Sequence, residues 1–281
     1  MVKALRTQLI VAGFHRSGTS LVCQLLNRAG LFLGYDLLGP TFSNPHGHFE
    51  DTEIMDFHEQ LLGDNGRTWL ASERFLPIVA STHWRRLEQI IERRNSEHEL
   101  WGFKDPRVCL FMMVWKHLLP NAKVLMVYRS FSDSAYSLGR RQSVELLSDP
   151  TGPARLYGRF WEEPDLALRM WLAHNEALLT FARTYPEDTL AVSLDMVQNG
   201  FTVIKAANQR WGLRLNEVPT SEVINPAVME RRVGRQPISD RRLIERIDAT
   251  WQALEQLSAQ TGEIVEEQRS SRTPYQPPPS S

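Results

Sequence analysis

Apolar residues fall into short unbroken runs separated by longer amphipathic stretches. The runs at 9–12 (LIVA), 100–103 (LWGF), 123–128 (KVLMVY) and 190–194 (LAVSL) read as strands buried on both faces of a parallel sheet. Between them, hydrophobic positions recur at helical spacing. Leu21, Val22, Leu25, Leu26 and Ala29 form one stripe, with Gly30 placed to end the helix. Further helices are predicted over 49–62, 83–95, 109–119 (stopped by Pro120), 132–140 and 165–184. Another runs from the fourth strand to Trp211, and the last spans 239–259, with Leu243, Ile244, Ile247, Trp251 and Leu254 on one face. Strands alternating with helices predict an α/β fold, a central parallel sheet flanked by helices on both faces.

The same reading assigns residues 1–265 to a single domain. Within it, 142–164 mix glycine, proline and charge and read as a mobile insertion or lid. Residues 225–237 read as a polar, arginine-rich loop. Residues 266–281, ending in SSRTPYQPPPSS, read as a disordered Pro/Ser-rich tail. No internal repeat is visible.

Composition narrows the classes. With 42% hydrophobic and 23% charged residues, the 281-residue chain is ordinary for a globular protein with a substantial core. A formal net charge of −1 argues against a general nucleic-acid binder while permitting a local basic cleft. The only two cysteines, Cys23 and Cys109, sit in apolar helical contexts and read as reduced core residues. No apolar run approaches the ~18 residues of a membrane span, and the N-terminal run is too short for a signal-peptide core. The expected compartment is therefore the cytoplasm.

Chemistry concentrates where the first strand meets the first helix. Gly13-Phe14-His15-Arg16-Ser17-Gly18-Thr19-Ser20 enters a helix N-terminus, where backbone N–H groups lack intrahelical partners and the dipole is positive. Such a loop is an anion cradle, most often for phosphate. A Walker A loop requires lysine after its second conserved glycine; here Thr19 stands in that position, and the loop's cation is Arg16. A second candidate is Arg129 at the end of a strand, with Ser137 eight residues on; guanidinium and hydroxyl together suit a phosphate. Two more elements are Asn44-Pro45-His46-Gly47-His48-Phe49-Glu50-Asp51 and Gly102-Phe103-Lys104-Asp105-Pro106-Arg107. The histidines His46, His48 and His58 lack the accompanying cysteines or carboxylates of a metal site, so none is expected.

Together, these four elements resemble those of sulfotransferases that use 3′-phosphoadenosine-5′-phosphosulfate (PAPS), in particular a bacterial group with N-P-x-G-x-x-E and G-x-K-D-P-R patterns. The resemblance spans residues 7–235 and implies a P-loop-like three-layer fold. It implies that His15, Arg16, Ser17, Gly18, Thr19 and Ser20 hold the 5′ side of PAPS, with Arg16 facing the sulfuryl group. Arg129 and Ser137 would take the 3′-phosphate, and 193–195 would lie at the adenine edge. Glu50 matches the pattern's glutamate and is the expected general base, with His48 as the alternative. Lys104 or Arg107 would neutralise developing charge, and Asp105 would orient one of them or touch the acceptor.

Bland readings stand beside each assignment. Glu50 can serve only the helix dipole, Asp105 and Arg107 can form a loop-locking pair, and Arg129 can make a surface salt bridge. Arg231 and Arg232 do not fit the late arginine element of cytosolic sulfotransferases and can be a solvated surface. The acceptor is left open among small-molecule, carbohydrate, lipid and peptide classes, and the oligomeric state is open too. Residues 31–49, Trp69 and the 142–164 insertion are placed to line its pocket, and Arg140, Arg141, Arg155 and Arg159 hint at an anionic acceptor. The rival functions are an ATP-dependent small-molecule kinase and a noncatalytic nucleotide-binding protein.

Overall fold

Four parallel strands form the centre of the protein, and alternation along each strand divides the core in two. The computed structural model describes residues 6–40, 47–149, 151, 153–223, 238 and 240–270. The strands are β1 (Thr7–Ala12), β2 (Leu100–Lys104), β3 (Lys123–Tyr128) and β4 (Thr189–Ser193), in the order β2-β1-β3-β4. Register runs Val11 against Lys104 on one side of β1 and Ala12 against Met126 on the other. The helices are α1 (Thr19–Arg28), α2 (Thr52–Asp64), α3 (Ser81–Glu97), α4 (Val108–Leu118) and α5 (Phe131–Ser148). They continue with α6 (Arg159–Glu162), α7 (Leu166–Thr184), α8 (Leu194–Gln198), α9 (Val203–Trp211) and α10 (Arg241–Ser270).

Side chains two apart on a strand share a face. Leu9, Val11, Leu125 and Val127 pack against α1 and α9 through Val22, Leu25, Leu26, Val203 and Ala207. Ile10, Ala12, Val124 and Met126 face the larger layer, where Phe57, Trp115, Trp171 and Ile247 bring in α2, α4, α7 and α10. The result is three layers, α/β/α, as the alternation of runs and stripes predicts. Both cysteines are free and buried in these cores. Among the described residues, no helix is long and apolar enough to cross a membrane.

Several boundaries differ from the sequence reading. Helix α2 starts at Thr52 rather than at 49, because Phe49 has a left-handed φ of 55° and Asp51 forms the N-cap. Helix α5 runs to Ser148, past the expected end at 140, so the first third of the supposed lid is regular helix. A 3₁₀ turn (Pro153–Gly158) and α6 make up much of the rest. The single helix expected after β4 is two, α8 and α9, separated at Gly200, whose φ of 91° no continuing helix accommodates. Helix α10 extends to Ser270. The expected loop at 225–237 with Arg231 and Arg232, the 271–281 portion of the tail, and Asn44, Pro45 and His46 lie outside the described residues.

Strand order positions the site. The chain moves from β1 outward to β2, then crosses back to β3 on the other side of β1. The carboxyl ends of β1 and β3 therefore flank the point where the winding reverses, where open α/β sheets bind ligands.

Candidate functional site

The loop 13–18 is held at this reversal by close backbone approach. A Cβ on Gly13 would stand 2.2 Å from the carbonyl oxygen of Val127, so β1 can leave the sheet beside β3 only with glycine there. Gly18 has a φ of +89°, and a Cβ on it would lie 2.5 Å from Leu194 Cδ1. Arg16 also takes a left-handed φ, 61°, an uncommon conformation for a residue with a side chain. Helix α1 then begins with neither a side-chain cap nor an acidic residue in its first turn. Its first N–H groups are left to the solvent side or to an anion. Ser17 is fully buried, and its Oγ has no hydrogen-bond partner among the described residues.

Arg16 reaches across to the β3 side. Its Nε donates to Ser137 Oγ at 2.9 Å, joining residues 121 positions apart. Ser137 is buried on α5, which is capped by Ser130, whose Oγ accepts from Asp133 N at 3.1 Å. Arg129 lies at the same strand end, its Nε 3.8 Å from Asp133 Oδ2, while its carbonyl accepts the Trp171 indole N–H. The two expected halves of the nucleotide receptor thus share one edge. Ser193, expected at the adenine edge, spends its hydroxyl as the N-cap of α8, accepting from Met196 N at 3.0 Å.

On the β2 side, Lys104 Nζ donates to Glu50 Oε1 at 2.7 Å, and both groups are buried. Glu50 is delivered by a segment stapled to residues 35–38. Leu38 N donates to the Glu50 carbonyl (2.7 Å), and His48 N donates to the Leu38 carbonyl (3.0 Å). Asp51 anchors the same segment: it caps α2, accepts Tyr35 N at 2.9 Å and faces Arg94 Nη2 at 2.9 Å. Arg94 is fully buried, and the contact is an ion pair whose N–H is not aimed along it. The guanidinium also lies over the rings of Trp101 (5.4 Å) and Tyr35 (5.7 Å). Ser20 Oγ donates to the His48 carbonyl at 3.2 Å, linking this segment to the phosphate-type loop. Burial lowers the His48 pKa to about 4, so its ring is neutral at pH 7.

The Lys104–Arg107 element is locked by its own ions. Asp105 Oδ1 accepts Arg107 N at 2.7 Å, and Arg107 Nη1 reaches both carboxylate oxygens, at 3.1 and 3.0 Å. Arg107 Nε donates to Glu59 at 2.6 Å. Beneath them, Trp115 Nε1 donates to His58 Nε2 at 2.8 Å, which leaves the ring proton on Nδ1, 3.5 Å from Asp105 Oδ2. Burial works against the Asp105 charge, but Arg107 and His58 outweigh it and hold the carboxyl well below its usual range. Burial likewise opposes the Arg107 charge, and Asp105 and Glu59 more than offset it. Of the two roles expected for Asp105, the geometry matches the orienting one: the residue is 1% exposed and its carboxylate faces Arg107.

Sequence alone gives no role to His174 or Arg94. His174 lies in the apolar stripe of α7, and only the fold brings its ring to 6.0 Å from that of His15. Burial and His174 together hold His15 well below the ordinary histidine range. Among the described residues, no group of three or more His, Cys, Asp or Glu is arranged to hold a metal ion. No protein-family model matches the chain, and no curated protein matches it significantly.

Proposed function

We propose that this protein is a sulfotransferase that moves the sulfuryl group of PAPS to a hydroxyl or amine of an acceptor. The observation that carries the reading is the Arg16–Ser137 bond, 2.9 Å long, at the reversal point of the sheet. It joins a lysine-free phosphate-type loop to the strand end bearing Arg129. Ser17 Oγ, buried without a partner among the described residues, and the uncapped start of α1 fit a polyanion on that edge.

PAPS, as co-substrate, supplies the sulfuryl group and retains the electron pair of the broken S–O bond as 3′-phosphoadenosine-5′-phosphate. The chain's part is positioning and charge stabilisation. Arg16 and the N–H groups at the start of α1 meet the negative charge that grows on the leaving phosphate. Glu50 takes the acceptor proton as the new S–O bond forms. Lys104, bonded to Glu50, fixes the carboxylate and moderates the buried charge before and after that transfer. Neutral His48 stands beside Glu50 as the alternative proton acceptor. The same reading includes a small-molecule, carbohydrate or lipid acceptor, no nucleic-acid partner and a cytoplasmic location, which two buried free thiols support.

Isothermal titration with 3′-phosphoadenosine-5′-phosphate tests this. Wild type is expected to bind at micromolar concentration, and Arg129→Ala to lose binding without losing its fold. Absence of binding by folded wild type, or tighter binding of ATP–Mg²⁺, overturns the proposal and favours a kinase or another nucleotide-binding role.

A further inference from the structure

The connection from α2 to α3 holds apolar side chains in solvent while the rest of it is tied down. Leu76 is 93% exposed and Ile78 78%, more than any other large hydrophobic side chain among the described residues. Exposure alternates along 74–79, as in an extended segment. Arg74, Leu76 and Ile78 face out, whereas Phe75 and Val79 are half-buried and pack against the larger core. Earlier in the connection, Leu70 and Ala71 are buried in that same core, and the Trp69 ring lies 5.3 Å from that of His15.

The backbone at the tip is fixed as well. Asn65, the C-cap of α2, brackets Ile78 with its side-chain amide. Ile78 N donates to Asn65 Oδ1 at 2.7 Å, and Asn65 Nδ2 donates to the Ile78 carbonyl at 3.0 Å. Pro77, between the two exposed side chains, has no N–H to satisfy. Holding apolar surface in water runs against the usual direction of burial, and here an anchored backbone does so twice within three residues.

Charge selects what covers them. The connection and the first turns of α3, residues 65–86, hold four arginines (Arg67, Arg74, Arg85 and Arg86) against one acid, Glu73, in a chain whose formal net charge is −1. Among the described residues none of the four is paired with a carboxylate. Arg67 lies over the Phe75 ring (5.6 Å), Arg85 donates to the Ser81 carbonyl (3.4 Å) and Arg86 donates to Gln60 Oε1 (2.7 Å). Asp64, at the end of α2, faces His83 at 3.0 Å. An isologous dimer would set two such basic surfaces against each other, which disfavours a second copy of the chain. An anionic bilayer offers charge to the arginines and an acyl boundary to the two apolar side chains. Entry costs least where backbone groups are already bonded, as those of Ile78 are.

We propose that this segment is a membrane-docking edge, in which Leu76 and Ile78 enter the interface of an anionic bilayer while Arg67 and Arg74 meet its headgroups. The docking goes beyond the sulfotransferase reading and does not depend on it.

The test titrates the full chain with vesicles of phosphatidylcholine alone and of phosphatidylcholine mixed with phosphatidylglycerol, read by co-sedimentation. Binding is expected to the mixed vesicles, at least tenfold weaker without the anionic lipid, and weakened by salt. Leu76→Ser/Ile78→Ser is expected to weaken binding to the mixed vesicles by about tenfold or more. Arg67→Gln/Arg74→Gln is expected to weaken it by roughly fivefold per arginine. All four positions are exposed, so the thermal midpoint and the affinity for 3′-phosphoadenosine-5′-phosphate should hold in both variants. Failure of folded wild type to bind the mixed vesicles, equal binding to both kinds, or binding that either double variant leaves unchanged overturns the proposal. So does a dimer, seen by light scattering without vesicles, that Leu76→Ser/Ile78→Ser dissociates. The nucleotide titration is read separately, so failure of the sulfotransferase reading leaves the vesicle result standing.

Discussion

The two sides of the cleft treat polar groups in opposite ways. At the ends of β1 and β3, a serine hydroxyl is buried without a partner among the described residues, a helix begins without a side-chain cap, and a non-glycine residue holds a left-handed backbone. At the end of β2, the buried ions are answered inside the protein: Lys104 by Glu50, Arg107 by Asp105 and Glu59, and Arg94 by Asp51. Unsatisfied groups and backbone strain cost stability and persist where something else over-determines them. On the β1/β3 side a hydroxyl and a helix start are left over, whereas on the β2 side each buried cation faces a carboxylate, although Arg94 and His58 keep side-chain nitrogens without a hydrogen-bond partner among the described residues, and Glu50 is held as a fixed carboxylate. Function, on this view, needs one surface with capacity left over and another with its geometry spent in advance.

The largest effect should come from opening the finished side. Arg94→Met leaves Asp51 buried and without its cation, and breaking such a pair costs roughly 3–5 kcal/mol. Denaturant unfolding should register that loss, and a change below about 1 kcal/mol would mean that the side is not pre-built in this sense. Next in size, Glu50→Gln should lower sulfuryl transfer by about 100-fold or more, the scale of a lost general base. Nucleotide affinity should hold, because the Glu50 carboxylate is bonded to Lys104 rather than to the phosphate-type loop; undiminished transfer in a labelled-sulfate assay would retire Glu50 as base.

A further test is a pH slope. His48 and His174 each fall from 6.5 to about 4 through burial, so between those values the unfolded chain binds more protons than the folded one. Stability should therefore rise with pH across about 4 to 6.5, be fully present above, and fall away on acidification. His174→Phe should flatten part of that slope in acid-unfolding curves. A slope unchanged by the substitution would show that His174 titrates normally.

Much of the fold was legible because strands and helices differ in period. The four strands lie where the apolar runs are, within about a residue or two at each end, and Pro120 stops α4 as expected. The errors fell where local pattern is silent. Nothing in the amphipathic continuation past residue 140 announces whether α5 goes on, and its packing against the 3₁₀ turn decides it. At the site, the loop, Arg129, Ser137 and the Lys104–Arg107 element are readable because each is a compact motif at a strand end. His174 was not, since a histidine inside an apolar helical stripe carries no local mark of the ring it will meet.

By itself, the sequence determined the layers, the lysine-free loop and the residue types that can meet an anion, because these depend on periodicity and on glycine at neighbouring positions. Tertiary structure decided which of them act together. The order β2-β1-β3-β4 brings Arg16 to Ser137 across 121 residues and seals Asp105 beneath Arg107. Burial then sets which charges are matched and which hydroxyl is left over. Pairing and desolvation depend on neighbours that are distant in the chain, and only the folded arrangement supplies them.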